Sequence, residues 1–100
     1  MNQDEARASL EKYRVMIDDV DRRIVALLNE RTTVVENIGL VKRHANLPIY
    51  EPKREDQVFA NVVGCNQGPL SPDALKRIFE RIIDEMRSIQ RLRMQPDGDK

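Results

Sequence analysis

Residues 4–45 of the chain read DEARASLEKYRVMIDDVDRRIVALLNERTTVVENIGLVKRHA. This stretch contains no proline and a single glycine, Gly39. Its apolar residues recur at alternating spacings of three and four, which places them along one face of an α-helix. This apolar seam consists of Leu10, Tyr13, Ile17, Val20, Ile24, Leu27, Val34, Ile38 and Val41. The sequence therefore predicts one unbroken helix over about residues 4–45.

The length of this helix implies that a second chain covers its seam. About 40 residues at 1.5 Å per residue span about 60 Å, and most helices of globular proteins are far shorter. A compact chain of 100 residues has a radius of gyration of only about 13 Å. The remaining residues are too few to wrap such a helix, so we expect a partner chain along the seam.

Two shorter helices are expected after the long one. Pro48 and Pro52 bracket an ordered loop, and Pro52 suits the first position of a second helix over about residues 52–64. Ser71 offers an N-cap for a third helix over about residues 71–94. No stretch alternates with strand periodicity. The sequence therefore predicts an all-α fold with a long, a short and a medium helix.

The chain is expected to be a single domain over residues 1–100, with a frayed tail over residues 95–100. It has 17 basic and 17 acidic residues, a balance that excludes a general binder of nucleic acid or anionic membranes. The single Cys65 excludes a disulfide framework, and the single His44 has no partner for a triad or a metal cluster. A signal-peptide layout and an apolar run of about 20 residues are both absent, which predicts a cytoplasmic protein.

Three polar residues lie where apolar ones are expected. Arg31 falls on the seam, where an arginine either sets the register of paired helices or binds an anion such as a carboxylate. Lys42 lies about three turns further on nearly the same face, either as a solvated charge or as a second cation of one cleft. Gln90 lies on the apolar face of the third helix, either linking helices or donating to a ligand. Residue types alone leave these alternatives open.

Five short motifs follow one another along the chain: Arg14-x-x-Ile17-x-x-x-Asp21, Leu27-Leu28-x-x-Arg31, Ile38-Gly39-x-x-Lys42, Pro48-Ile49-x-x-x-x-Arg54-Glu55, and Ile78-Phe79-x-x-Ile82-Ile83 ahead of Gln90. Their order and spacing resemble the all-helical class of chorismate mutases over nearly the whole chain. The resemblance implies an entwined, domain-swapped-like homodimer of three-helix protomers. It further implies an isomerase of phenylalanine and tyrosine biosynthesis, which converts chorismate to prephenate by an intramolecular Claisen rearrangement without a metal or cofactor.

The resemblance also implies roles for individual residues. Lys42 and Gln90 correspond to the pair that donates hydrogen bonds to the ether oxygen of chorismate. Arg31 corresponds to the clamp for one substrate carboxylate, and Arg14 to the clamp for the other, supplied by the partner protomer. Such fixed donors would stabilise the negative charge that grows on the ether oxygen, and a pericyclic reaction needs no nucleophile or general base.

Four further positions complete the implied site. Glu55 corresponds to the acceptor for the substrate hydroxyl, assisted by Glu51, and Arg54 corresponds to a polar wall of the pocket. Glu51 stands where some members have aspartate. Met86 stands where some members have a hydroxyl residue that contacts a substrate carboxylate.

The spacing of the two arginines supports the trans arrangement separately. Arg14 and Arg31 are 17 residues apart in sequence, or roughly 25 Å on an unbroken helix. One small dicarboxylate cannot touch both, so if both bind the same ligand, one of them comes from a second, antiparallel copy.

Two alternative functions fit the same helices. Isochorismate pyruvate lyase resembles the mutase at Arg14, Arg31, Lys42 and Gln90, whereas the Arg54-Glu55 pair favours the mutase. A non-catalytic helical dimer that regulates another aromatic-pathway enzyme is the second alternative. The complete polar set argues against lost catalysis, and it leaves a partner enzyme from that pathway possible.

Overall fold

The computed structural model describes residues 1–95 of the chain. The chain folds into three α-helices, α1 (Gln3–Ala45), α2 (Pro52–Cys65) and α3 (Pro72–Met94). The described residues contain no β-strand, which confirms the predicted all-α fold with a long, a short and a medium helix. The expected frayed tail over residues 95–100 lies, apart from Gln95, outside the described residues. Within residues 1–95, no helix combines the length and apolar character that crossing a membrane requires.

Local chemistry explains where α1 begins and ends. The Asn2 side chain accepts a hydrogen bond from the backbone of Glu5 at 2.8 Å, which caps the first turn. At the other end, Asn46 adopts a left-handed φ of 57°, a conformation that asparagine tolerates better than most residues. The backbone N–H of Leu47 then donates to the carbonyl of Lys42 at 2.8 Å, which closes the end of the helix.

The two shorter helices begin with proline at their first position. Ser71 caps α3 by accepting a hydrogen bond from the backbone of Ala74 at 3.1 Å. Glu51 precedes α2 but makes no side-chain capping bond. The Glu51 carboxylate lies instead 3.4 Å from the ammonium of Lys42. A residue in a capping position thus contacts a cation on α1.

The chain divides into two compact units, Met1–Thr33 and Val34–Lys100, and α1 contributes to both. Every residue of the first unit is exposed or half-buried. In the described part of the second unit, five residues are buried: Val35, Gly39, Lys42, Ile83 and Met86. The core of the second unit therefore lies where the C-terminal end of α1 meets α3.

The buried face of residues 34–45 differs from the predicted seam. Val34 and Val41 belong to the seam but remain 55% and 63% exposed, whereas the next residue along, Val35 or Lys42, is buried in each case. The two faces are about 100° apart around the helix. This part of α1 therefore has one face against α3 and a second apolar face that is exposed.

Candidate active site

A buried lysine is the centre of the polar site in the second unit. Lys42 is 8% exposed, and its ammonium donates to Oε1 of Gln90 at 2.9 Å and to the carbonyl of Ile49 at 3.0 Å. The Glu51 carboxylate lies 3.4 Å from the same ammonium. A buried charge is costly unless hydrogen bonds and an opposite charge satisfy it. These three contacts together supply what the Lys42 ammonium requires.

The contact with Lys42 fixes the orientation of the Gln90 amide. An ammonium group can only donate, so the oxygen of the amide must be the atom that faces it. Because Oε1 is engaged, the Nε2 end of the amide remains as the hydrogen-bond donor. The structure therefore brings together Lys42 and Gln90, which the resemblance implies to be a pair.

A close approach between helices places this pair. A β-carbon added at Gly39 would lie 3.2 Å from Cβ of Arg93 and 3.4 Å from Cα of Gln90. Gly39 therefore lets the backbone of α3 approach α1 one turn before Lys42. Nε of Arg93 also donates to Glu36 at 2.6 Å, which links the same two helices. The Gly39-x-x-Lys42 spacing thus has a structural reason, since glycine admits the helix that carries Gln90.

A second polar group surrounds Glu55 on α2. Arg87 of α3 forks onto its carboxylate, with Nε to Oε2 at 2.9 Å and Nη2 to Oε1 at 3.0 Å. The guanidinium carbon lies 5.6 Å from the centre of the Tyr50 ring, and Nη2 lies 3.3 Å from a carboxylate oxygen of Asp84. The hydrogen bond with Glu55 raises the pKa of Arg87 above its ordinary value, against an opposing effect of burial.

Sequence reasoning gave no role to Arg87 or Tyr50. Arg87 follows the apolar residue Met86 and has an acid three residues earlier, as a solvated surface arginine would. Its partner Glu55 is 32 residues away, and local spacing carries no information about such a contact. A folded structure was needed to find this pair.

The remaining predicted residues of the second unit occupy different environments. Met86 is buried at 7% exposure. Arg54 is exposed and donates to Gln57 on the same helix at 3.3 Å. The structure thus groups Lys42, Gln90 and Glu51, gives Glu55 a partner on α3, and leaves Arg54 on the surface of α2.

The first unit holds the other two predicted arginines. Arg14 is exposed, and Arg31 is half-buried. They lie 17 residues apart on α1, which corresponds to roughly 25 Å along a helix. Among the described residues, no three histidine, cysteine, aspartate or glutamate side chains gather as a metal site.

Comparison with known proteins identifies the family. A family model described as chorismate mutase type II matches residues 13–91, a range that contains every predicted site residue. The bifunctional chorismate mutase/prephenate dehydratase of Aquifex aeolicus is 36% identical over 86 residues, which cover 82% of this chain and 24% of that protein. The chain therefore spans about a quarter of the length of that bifunctional relative.

Two solved structures share the fold. Chorismate mutase (form II) from Thermus thermophilus matches with a TM-score of 0.81 and 30% identity, over 83% of this chain and 94% of that chain. Chorismate mutase from Helicobacter pylori, in complex with prephenate, matches with a TM-score of 0.80 and 26% identity, over 87% of this chain and 94% of that chain.

The fold and the comparisons together identify the family of this chain. The protein is all-helical, with the buried Lys42 bonded to the half-buried Gln90, and the solved structures that share its fold are chorismate mutases. The family model covers well over half of the chain, and the chain belongs to the chorismate mutase type II family. The predicted resemblance is thereby confirmed.

Proposed function

We propose that this chain is a single chorismate mutase domain that converts chorismate to prephenate by an intramolecular Claisen rearrangement. The observation that carries the proposal is the buried Lys42 ammonium bonded to the Gln90 amide at 2.9 Å, in a chain of the chorismate mutase type II family. The reaction moves bonds within one molecule, so the site must hold the reactive conformer and stabilise developing charge. It requires neither a nucleophile nor a metal or cofactor.

Lys42 and Gln90 are proposed to donate to the ether oxygen of chorismate. Negative charge grows on this oxygen as its bond to carbon breaks, so a fixed donor stabilises the transition state more than the substrate. One such donor is worth about 3 to 4 kcal/mol. The burial of Lys42 and the orientation of Gln90, with its Oε1 toward Lys42, support this role, since fixed donors away from bulk water strengthen electrostatic stabilisation.

Lys42 needs to release one contact to donate to the substrate. An ammonium has three N–H groups, and Ile49, Gln90 and Glu51 provide three acceptors. Glu51 has the longest of these contacts, at 3.4 Å, and its side chain is 43% exposed. We expect the Glu51 carboxylate to move away from Lys42 and toward the substrate hydroxyl, which is also proposed to donate a hydrogen bond to Glu55.

Arginines are proposed to bind the two substrate carboxylates, Arg31 from one protomer and Arg14 from its partner. Guanidinium groups suit this task because they fork onto a carboxylate with two parallel hydrogen bonds. Arg54 is proposed as a polar wall of the pocket, and Met86 as an apolar wall in place of a hydroxyl contact. The exposure of Arg54 in the protomer means that its side chain would have to turn toward the ligand.

A homodimer with shared sites is part of the proposal. Leu10, Tyr13, Ile17 and Leu27 of the seam are each about half exposed or more in the protomer, and apolar stripes of this kind are covered in stable proteins. The roughly 25 Å between Arg14 and Arg31 requires two chains if both hold one ligand. An antiparallel second copy satisfies both requirements in an entwined, domain-swapped-like dimer.

The name of the Aquifex aeolicus relative joins a chorismate mutase to a prephenate dehydratase. We propose an enzyme that consumes prephenate as the candidate pathway partner of this chain, and the cytoplasm as its location.

Product analysis with two substrates tests the function. The purified protein is incubated with chorismate or with isochorismate, without added metal or cofactor, and products are separated by chromatography. We expect chorismate to disappear and prephenate to accumulate, with Lys42→Met as the inactive control. Release of pyruvate from isochorismate with no prephenate from chorismate would instead establish the lyase.

A further inference from the structure

Arg87 connects three elements of the second unit. Its guanidinium forks onto Glu55 of α2, lies 5.6 Å from the ring centre of Tyr50 in the loop before α2, and is 3.3 Å from Asp84 on its own helix. The loop residue Tyr50 lies between Ile49 and Glu51, both of which contact Lys42. One side chain therefore touches the proposed hydroxyl acceptor and the loop that supports the proposed donor.

This ion pair differs from an ordinary surface pair. Arg81 and Glu85, on the exposed face of α3, form an i,i+4 pair with side chains 77% and 57% exposed. The Arg87 and Glu55 side chains are 26% and 21% exposed, and the pair crosses from one helix to another. An exposed pair contributes little and is easily rearranged, whereas a half-buried fork holds both groups in one geometry.

The fork determines how the Glu55 carboxylate can bind anything else. Each of its oxygens accepts one hydrogen bond from Arg87. A carboxylate has about four acceptor sites, so at least one remains on each oxygen for another donor. The direction of the remaining sites is set by the plane of the guanidinium, which Tyr50 and Asp84 hold in turn.

We propose that Arg87 is a positioning residue, which orients the Glu55 carboxylate for the substrate hydroxyl. The inference rests on the proposed function, because it assigns Glu55 a ligand. Arg87 itself is not a catalytic residue, since it acts through Glu55. The hydroxyl group takes no part in bond exchange, so its contact contributes equally to the ground state and the transition state. Loss of the orientation should therefore raise KM more than it lowers kcat.

Steady-state kinetics on chorismate test the proposal with a double-mutant cycle. Arg87→Met keeps much of the length but removes the fork, and Arg87→Lys keeps the charge as a single point. We expect Arg87→Met to raise KM about 10- to 100-fold, the change that corresponds to losing one hydrogen bond to a charged group, and Arg87→Lys to restore part of the loss. In the Glu55→Gln background, Arg87→Met should have little further effect, because the group that it positions has been replaced.

Arg81→Met is the matched control, because it removes an arginine from a salt bridge on the same helix. It should keep wild-type KM and kcat. A purely structural role for Arg87 would lower the active fraction with KM unchanged, or would give losses that multiply in the double mutant, and either result overturns the proposal. Failure of both Arg87 variants to fold would also overturn the proposal. Absence of prephenate with the wild-type protein would overturn the proposed function and this inference with it.

Discussion

The two units of the chain bury their apolar residues to different extents. Residues 1–33 contain no buried side chain, although Ile17 and Leu27 belong to the apolar seam, and these two are 58% and 63% exposed. Residues 34–95 hold every buried residue of the described chain, including Ile83 and Met86 on α3. The first unit has an apolar seam that is exposed to solvent in this chain, whereas the second unit has a small core of its own.

The residues of the predicted site are also distributed between the two units. Lys42, Gln90, Glu51 and Glu55 lie in the second unit, where they contact partners within one protomer. The first unit carries Arg14, which is exposed. One chain thus brings together the groups proposed for the ether oxygen and the hydroxyl, while the proposed binding of both carboxylates depends on a second copy.

Mixing two inactive variants tests the role of the first unit. Arg14→Ala and Arg31→Ala should each lose at least about 100-fold in kcat/KM, because each removes a charged carboxylate contact. In a mixed dimer, one site carries both lesions and the other carries neither. After complete subunit exchange, an equal mixture should recover about a quarter of wild-type activity if the two copies are related by two-fold symmetry.

Exchange is followed separately by mass spectrometry with one variant isotope-labelled, and each variant alone, taken through the same exchange, is the control. A mixture that exchanges fully but stays inactive would show that both arginines act within one chain, or that they do not bind the same ligand. The contrast between the two units would then lose its functional meaning.

Replacing Gln90 by glutamate tests the second unit. At neutral pH an ionised carboxylate can accept from Lys42 but cannot donate to the ether oxygen. It also adds negative charge beside an oxygen that becomes negative, so Gln90→Glu should lose about 100- to 1000-fold in kcat at neutral pH. Activity should rise as pH falls, because only the protonated form donates. Turnover and folded fraction are measured together across pH.

The exposed loop substitution Gln67→Glu makes the same chemical change away from the site and should follow the wild-type pH profile. A flat profile for Gln90→Glu, together with lower stability, would identify Gln90 as a structural link between helices. In that case the buried pair would define the core of the second unit without defining its chemistry.

Sequence reasoning succeeded where one helix carries the information. The proline-free run of α1 and the Ser71-Pro72 start of α3 each follow from local backbone chemistry. The buried residues Ile83 and Met86 likewise lie on an apolar stripe of α3 that the sequence alone shows. This stripe consists of Leu75, Ile78, Phe79, Ile82, Ile83, Met86 and Ile89. The spacing of residues within one helix determines these features, so a single sequence is enough to predict them.

Contacts between distant parts of the chain could not be predicted in the same way. Val35 and Gly39 form the face of α1 toward α3, yet the stronger apolar periodicity belongs to the neighbouring seam. When one helix carries two apolar stripes, the sequence does not show which element packs against each stripe. The Arg87 to Glu55 fork depends on the same missing information, because it joins α3 to α2 across 32 residues.

A substitution at Gly39 has the smallest expected effect and tests how closely the site depends on helix packing. Alanine is about 1 kcal/mol better than glycine inside a helix, so helix propensity alone predicts that Gly39→Ala is stabilising. The added carbon would meet Cβ of Arg93 at 3.2 Å and the backbone of Gln90 at 3.4 Å.

Relief of this contact requires α3 to move by a few tenths of an ångström, since Cα of Gln90 cannot move without its helix. The 2.9 Å bond between Lys42 and Gln90 would lengthen with that movement. We expect a loss of about tenfold in kcat, below the roughly 100-fold effect of a full 1 Å misplacement, with stability nearly unchanged.

Gly64→Ala on α2 is the matched control, because nothing lies within 4 Å of its added carbon. It should raise the free energy of unfolding by about 0.5 to 1 kcal/mol and leave kcat unchanged. Equal kcat for the two variants would mean that the site tolerates this movement, and that the close approach at Gly39 serves the core alone.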